Sequence, residues 1–375
     1  MAQLPVGSNL YGNGSDGALT INSNTTDAPI DSTAAGASGQ KEITATNASF
    51  TTGQIILIIQ TTNTGLGAWE LNEIASYTEG TITCTNNLAN TYTHAGNSKA
   101  QVLVVEQHDN ITVDSAKTLT AKAWTNVGEV GGVLALMASG TMDINGTITA
   151  SGKGFVGGAG GVANPQSGTA GEGEVAAVTG GGGGLGDNNN SKGGGGGGHT
   201  NVGTAGVSGG GTGGTASSGD SEDLTTLVFG GGGGGGGNDD GTSAGTGGNG
   251  GGFIFLIGKT ISIDNSTGSV VVDGIVGGNG GGSGGEDSGG GGGGAGGSLL
   301  IKGETVTYGT DKISSSAGSG GSAFGEGTNG GAGSVGRIRV EYGKTLTGSA
   351  SDPAASEAQV DDLILSAAGA FLHLI

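Results

Sequence analysis

The sequence predicts an all-β protein, with a β-solenoid or sandwich N-terminal part and a glycine-rich, layered domain of threefold polyglycine-II helices. Three observations lead there. Of 375 residues, 92 are glycine, 12% are charged and 4% aromatic, against about 7% Gly and about 25% charged in an average soluble chain. Apolar residues gather in short β-branched runs, and prolines number only 4, whereas a disordered chain is poor in such runs. From Gly131 onward one pattern recurs: apolar strand, tight turn, alternating strand, glycine tract.

Residues 1–130 read as an N-terminal β attachment domain. The run Ile55-Ile56-Leu57-Ile58-Ile59 is continuously apolar, as in a strand buried on both faces. Val102-Leu103-Val104-Val105, Ile111-Thr112-Val113 and Thr118-Leu119-Thr120 follow, separated by polar turns such as His108-Asp109-Asn110. Residues 68–77 are compatible with one short helix. The single cysteine, Cys84, lies in an alternating stretch, excludes an internal disulfide and reads as a small core residue.

Residues 131–350 form the repeat domain. Its copies start at Gly131-Gly132, Gly251-Gly252 and Gly296-Gly297, with a worn copy at Arg337-Ile338-Arg339-Val340. A single unit cannot bury its apolar face, so the copies are expected to stack, and the glycine excursions to assemble as a second layer on one side. A lone polyglycine segment gains nothing by ordering. Packed beside copies of itself, each threefold helix can hydrogen-bond its neighbours, and only glycine permits that approach. Residues 351–375 read as a C-terminal docking segment. Ser351-Asp352-Pro353 resembles a helix start, residues 357–365 are helix-compatible, and 367–375 end apolar.

The informative positions interrupt glycine: 162–166, 172–178, 187–192, 199–202, 220–229 and 238–242. Among them Asn188, His199, Leu224, Leu227, Phe229 and Asp239 are the candidate receptor-binding residues. Two readings stand for Leu224, Leu227, Val228 and Phe229. At loop tips they form a contact patch; folded back, they plug the lattice.

Other chemistry is not supported. The net charge of −20 repels nucleic acid and anionic membranes. The four histidines (His94, His108, His199, His373) lack metal-ligand spacing. No phosphate loop or nucleophile elbow is present. Carboxylate pairs at Asp239-Asp240, at Glu286-Asp287 and at Asp220, Glu222 and Asp223 stand in glycine-rich loops, without the cleft that shifts a catalytic pKa. The expectation is no enzyme, no catalytic residue and no cofactor; calcium is the one ion left open, because carboxylates and Asn among glycines supply hard oxygens. The start (Met1-Ala2-Gln3-Leu4-Pro5-Val6) lacks the basic and apolar regions of a secretory signal.

Glycine tracts broken by short variable loops, over about 151–336, resemble the receptor-binding adhesins of T-even-like phage long tail fibres. Residues 117–124, 131–137, 145–150 and Gly152-Lys153-Gly154-Phe155 are similar to glycine-rich β-solenoid surface proteins of bacteria and phages. The resemblance implies a virion-surface or extracellular adhesin. Its loops within 155–242 would meet a host cell-surface protein or glycan, and residues 1–130 would join fibre or other structural proteins. Homo-oligomerisation is left open. The rival readings are a filament or sheath subunit polymerising through β edges and, least favoured, an ice-binding protein.

Overall fold

The computed structural model describes residues 10–125, 128–174, 179–187, 190–264, 266–348 and 350–363. They form an all-β protein whose only helical turn among the described residues is a 3₁₀ turn at Asp361–Leu363. No helix among them is long and apolar enough to cross a membrane.

The body is a pair of parallel sheets. The first runs in the order Leu19–Ile21, Ile111–Val113, Val133–Ile144, Phe253–Ile263, Ser298–Thr307, Arg337–Thr347 and Ser356–Gln359, with Glu106–His108 also paired to Val133–Ile144. The second runs Thr25–Thr26, Thr118–Thr120, Thr147–Thr149, Ser269–Val271 and Ile313–Ser314. Five strands of the first sheet, Leu19–Ile21, Ile111–Val113, Val133–Ile144, Phe253–Ile263 and Ser298–Thr307, are each followed in the chain by a counterpart in the second, so the two ladders climb together. Val133 pairs with Phe253, Phe253 with Ser298 and Ser298 with Arg337, which fixes the recurring copies in register. Alternation sets the faces. In Thr147-Ile148-Thr149 only Ile148 is buried, and with Leu119, Leu134, Ile144, Ile261, Val270, Leu299 and Ile338 it fills the space between the sheets. Each such side chain contributes about 1.5–3 kcal/mol by leaving water.

Residues 31–104 are inserted between the first two pairs of short strands as an antiparallel sheet: Asp31–Thr33, Lys99–Val104, Ile55–Thr62, Trp69–Thr78, Thr81–Cys84 and Glu42–Thr44 in spatial order. The expected strand around Ile55 is buried along its whole length. One face, with Ile55, Leu57, Trp69 and Leu71, packs on the outer face of the parallel sheet at Val133, Phe253, Phe255 and Leu300. The other face encloses Ile56, Ile58, Ile82 and Cys84. The boundary expected near 130 therefore does not separate two hydrogen-bonded units, because Leu19–Ile21 and Ile111–Val113 belong to the same sheet as Val133–Ile144.

Two local expectations are corrected. Of residues 68–77, all but Ala68 lie in a strand, not a helix: Trp69, Glu70, Leu71 and Asn72 are all buried, and a helix would present one such stripe rather than pair with Ile55–Thr62. Of the helix expected over 357–365, the described residues 357–363 form no α-helix either. Ser356–Gln359 adds a parallel strand beside Arg339–Tyr342, followed by the 3₁₀ turn. The apolar end, 367–375, lies outside the described residues.

Candidate functional site

The glycine region is held by backbone hydrogen bonds that repeat every third residue. Gly231, Gly234 and Gly237 donate to Gly198, Gly195 and Lys192; Gly232 and Gly235 donate to Glu172 and Thr169; Gly230, Gly233 and Gly236 donate to Gly251, Gly248 and Gly245. The same segment accepts from Phe155, Gly158 and Gly161, from Gly181 and Gly184, and from Gly289, Gly292 and Ala295. Residues 230–237 thus run at the centre of six neighbouring segments among the described residues. Side chains are excluded: a Cβ on Gly234 would lie 2.0 Å from the Gly182 carbonyl oxygen, and one on Gly235 2.0 Å from that of Ala159.

These pairings also fix direction. Segments alternate, outward from the strands and back, so the interruptions fall at two opposite ends. Segments at 162–166, 186–187 with 190–191, 238–243, 279–288 and 323–328 gather at the far end, joined by bridges from Gln166 to Asn238, Asn238 to Ser288, Ser288 to Phe324 and Ser243 to Gly281. Val207 joins them by donating to Asn329 at 3.0 Å. Residues 199–202 and 217–229 lie at the near end, against the strands.

This division sorts the sequence-predicted site residues. Leu224, Leu227 and Phe229 are each 1% exposed and are not a contact patch. They wedge the glycine layer against the antiparallel sheet, where Phe229 meets Trp124 and Phe155 edge-on at 5.9 and 5.5 Å between ring centroids. Gly132, with φ of +78°, keeps room for that ring: its Cβ would sit 2.6 Å from the Phe229 Cζ. His199 is fully buried and is not a surface residue either. Its Nδ1–H donates to the Gly296 carbonyl at 2.6 Å, leaving Nε2 as an acceptor 3.8 Å from Asp220. Burial holds its pKa below the ordinary histidine value. Asp220, read from sequence as a solvated loop carboxylate, makes a two-pronged ion pair with Arg337, with Nη2 2.6 Å from Oδ2. Asp239 alone of the described candidates stands at the far end; Asn188 lies outside the described residues.

The far end is acidic, with exposed apolar residues beside the charge. Asp187, Asp239, Asp240, Glu286, Asp287 and Glu326 belong to its turns, and Val162, Leu185 and Val207 are 71%, 49% and 50% exposed. The Asp239 carboxyl is raised by partial desolvation and by repulsion from Asp240, Asp187 and Asp287. Side chains stitch the turns together. Ser191 Oγ donates to the Asp287 carbonyl at 2.9 Å and accepts from the Asp239 N–H at 2.9 Å, while the Asp287 N–H donates to Asp240 Oδ1 at 2.5 Å. Sequence reasoning placed Gln166 and Ser191 inside informative interruptions without giving them a role, and missed Ser288 and Phe324 at this hub. The signal was parity: with the strands at one end of every excursion, alternate interruptions must face away from them.

Comparison with family models, with curated proteins and with solved structures returned no match.

Proposed function

We propose that this chain is a non-enzymatic adhesin of a virion or cell surface, recognising a host cell-surface protein or glycan through the far-end turns. We read the paired ladders as a β-solenoid and the threefold segments as a polyglycine-II lattice. One observation carries the functional reading. Turns of dissimilar sequence are brought together at one end of a scaffold whose order comes from backbone bonds such as Gly234 to Gly195. Such a scaffold tolerates change in the turns, and binding residues concentrate on loops positioned by a rigid frame. The resemblance to phage tail-fibre adhesins agrees, with the β body as the attachment end.

A filament subunit is the second reading. It is favoured by an incompletely covered edge: Ser356–Gln359 pairs only with 339–342 of the last long strand, so 345–347 has no partner on that side among the described residues. Incubating the purified, labelled chain with a panel of bacterial strains, and imaging the same sample by electron microscopy, separates the two. Strain-selective binding by dispersed particles supports the adhesin. Filaments that bind no strain refute it.

A further inference from the structure

We propose that the far end of the glycine layer binds a divalent cation of the calcium class, held by Asn238 Oδ1, the carbonyl of Gly281 and the carboxylate of Asp240. The inference does not depend on what the turns recognise.

Asn238 is the first observation. It is fully buried. Its amide nitrogen donates to the carbonyls of Ala163, at 3.2 Å, and Gly241, at 2.9 Å, which fixes the amide orientation. Oδ1 then faces inward and receives no hydrogen bond. Buried acceptors are seldom left so, and each such case calls for an explanation.

The surroundings of that oxygen are the second. A Cβ built on Gly241 would lie 2.8 Å from the Gly281 carbonyl oxygen and 3.0 Å from both Asn238 Oδ1 and the Asp287 carbonyl oxygen. Three oxygens therefore lie around one point beside the Gly241 Cα, too close to it for a side-chain carbon. The Gly281 carbonyl accepts from Ser288 Oγ, and that of Asp287 from Ser191 Oγ and the Gly241 N–H. The Gly281 carbonyl keeps a second lone pair for a further partner, whereas both lone pairs of the Asp287 carbonyl are taken.

Charge is the third. Asp240 reaches the same turn through its bond from the Asp287 N–H. Asp239, Asp240 and Asp287 pair with no Lys or Arg among the described residues. Repulsion among these carboxylates is relieved by a cation. An amide oxygen, a carbonyl and a carboxylate are the hard, mixed donors that calcium accepts, whereas magnesium demands a stricter octahedron. Among the described residues no three carboxylates or imidazoles converge as a metal-binding group, so the affinity belongs to the weak extracellular range of about 10⁻⁴–10⁻³ M.

A water molecule donating to the same oxygens is the competing occupant, and it predicts no cation dependence. The test is thermal unfolding of the chelator-treated full chain, with calcium, magnesium or sodium at matched ionic strength, for the natural protein and D240N. The proposal expects millimolar calcium to raise the midpoint more than magnesium or sodium does. It expects D240N, altered at an exposed side chain, to keep the midpoint in chelator but lose the calcium response. G241A, which fills the nook with a methyl group, should lose that response too, judged by calcium titration calorimetry on the folded protein. No calcium-specific rise in the natural protein, or an undiminished rise in D240N, overturns it.

Discussion

Trp69 donates its indole N–H to the backbone carbonyl of Leu224 at 3.2 Å, across 155 residues of chain. Beside it the Leu227 N–H donates to the Gly67 carbonyl at 2.9 Å. The apolar interruption of the glycine region is thereby a clamp between the antiparallel sheet and the lattice. Phe229→Ala should cost about 3–5 kcal/mol, the range for emptying a buried aromatic site, measured by chemical denaturation. The fraction that remains folded should keep whatever cell binding the natural chain shows.

The lattice predicts a contrast between glycines. Gly234→Ala places a methyl 2.0 Å from a backbone oxygen that cannot move aside, whereas a Cβ on Gly284 meets nothing within 4 Å. Overpacking costs about 1–3 kcal/mol, more where backbone must shift. Thermal melts should show G234A strongly destabilised and G284A close to the natural protein.

Burial raises the Glu174 carboxyl from the usual glutamate value to about 7, with the charge of Asp220 adding to it and a bond from Ser217 opposing it. The sign follows from linkage: a folded-state pKa above the unfolded one means the native state holds the proton more tightly. Its contribution is complete below the unfolded value near 4.5, declines as pH rises, and is lost above about 7. His199 acts oppositely, its lowered pKa withdrawing stability as pH falls below the usual histidine value. Asp27, raised to about 7 by burial and by Glu106, follows Glu174. Glu174→Gln should therefore flatten the decline in denaturation free energy between pH 5 and pH 7, roughly the span between the two states' pKa values, without removing the Asp27 share. An unchanged slope would contradict the assignment.

Cys84 is fully buried, and burial pushes its thiol up to about 12. The thiolate is the reactive form. Iodoacetamide at neutral pH should leave the native protein unlabelled and modify one site after denaturation, read by mass spectrometry.

Much of the β body was legible because strand alternation writes burial directly into sequence. Ile148 between two threonines, or Leu119 between two threonines, leaves one choice of face. The copies starting at Gly131, Gly251 and Gly296 were legible for the same reason, and their ladders pair in register. Residues 68–77 misled because a strand with one long buried half, Trp69 to Asn72, does not alternate. The candidate site was half legible. Glycine tracts carry no side-chain pattern, so nothing local says which way a segment runs. Leu224 and Phe229 could face solvent or strands until the pairing of Gly231 with Gly198 set direction. Asp239 stands at the far end, while the role proposed for Asn238, one residue earlier, depends on Ala163 and Gly281, far away in sequence.

The central claim is that recognition resides in the far-end turns. Its most direct test is binding to a panel of bacterial strains by the natural chain and by a variant with residues 239–242 and 283–286 replaced by Gly/Ser stretches, both confirmed folded by their melting curves. The account predicts strain-selective binding that the variant loses while its fold persists. Undiminished binding by the folded variant would contradict it and move recognition to another surface.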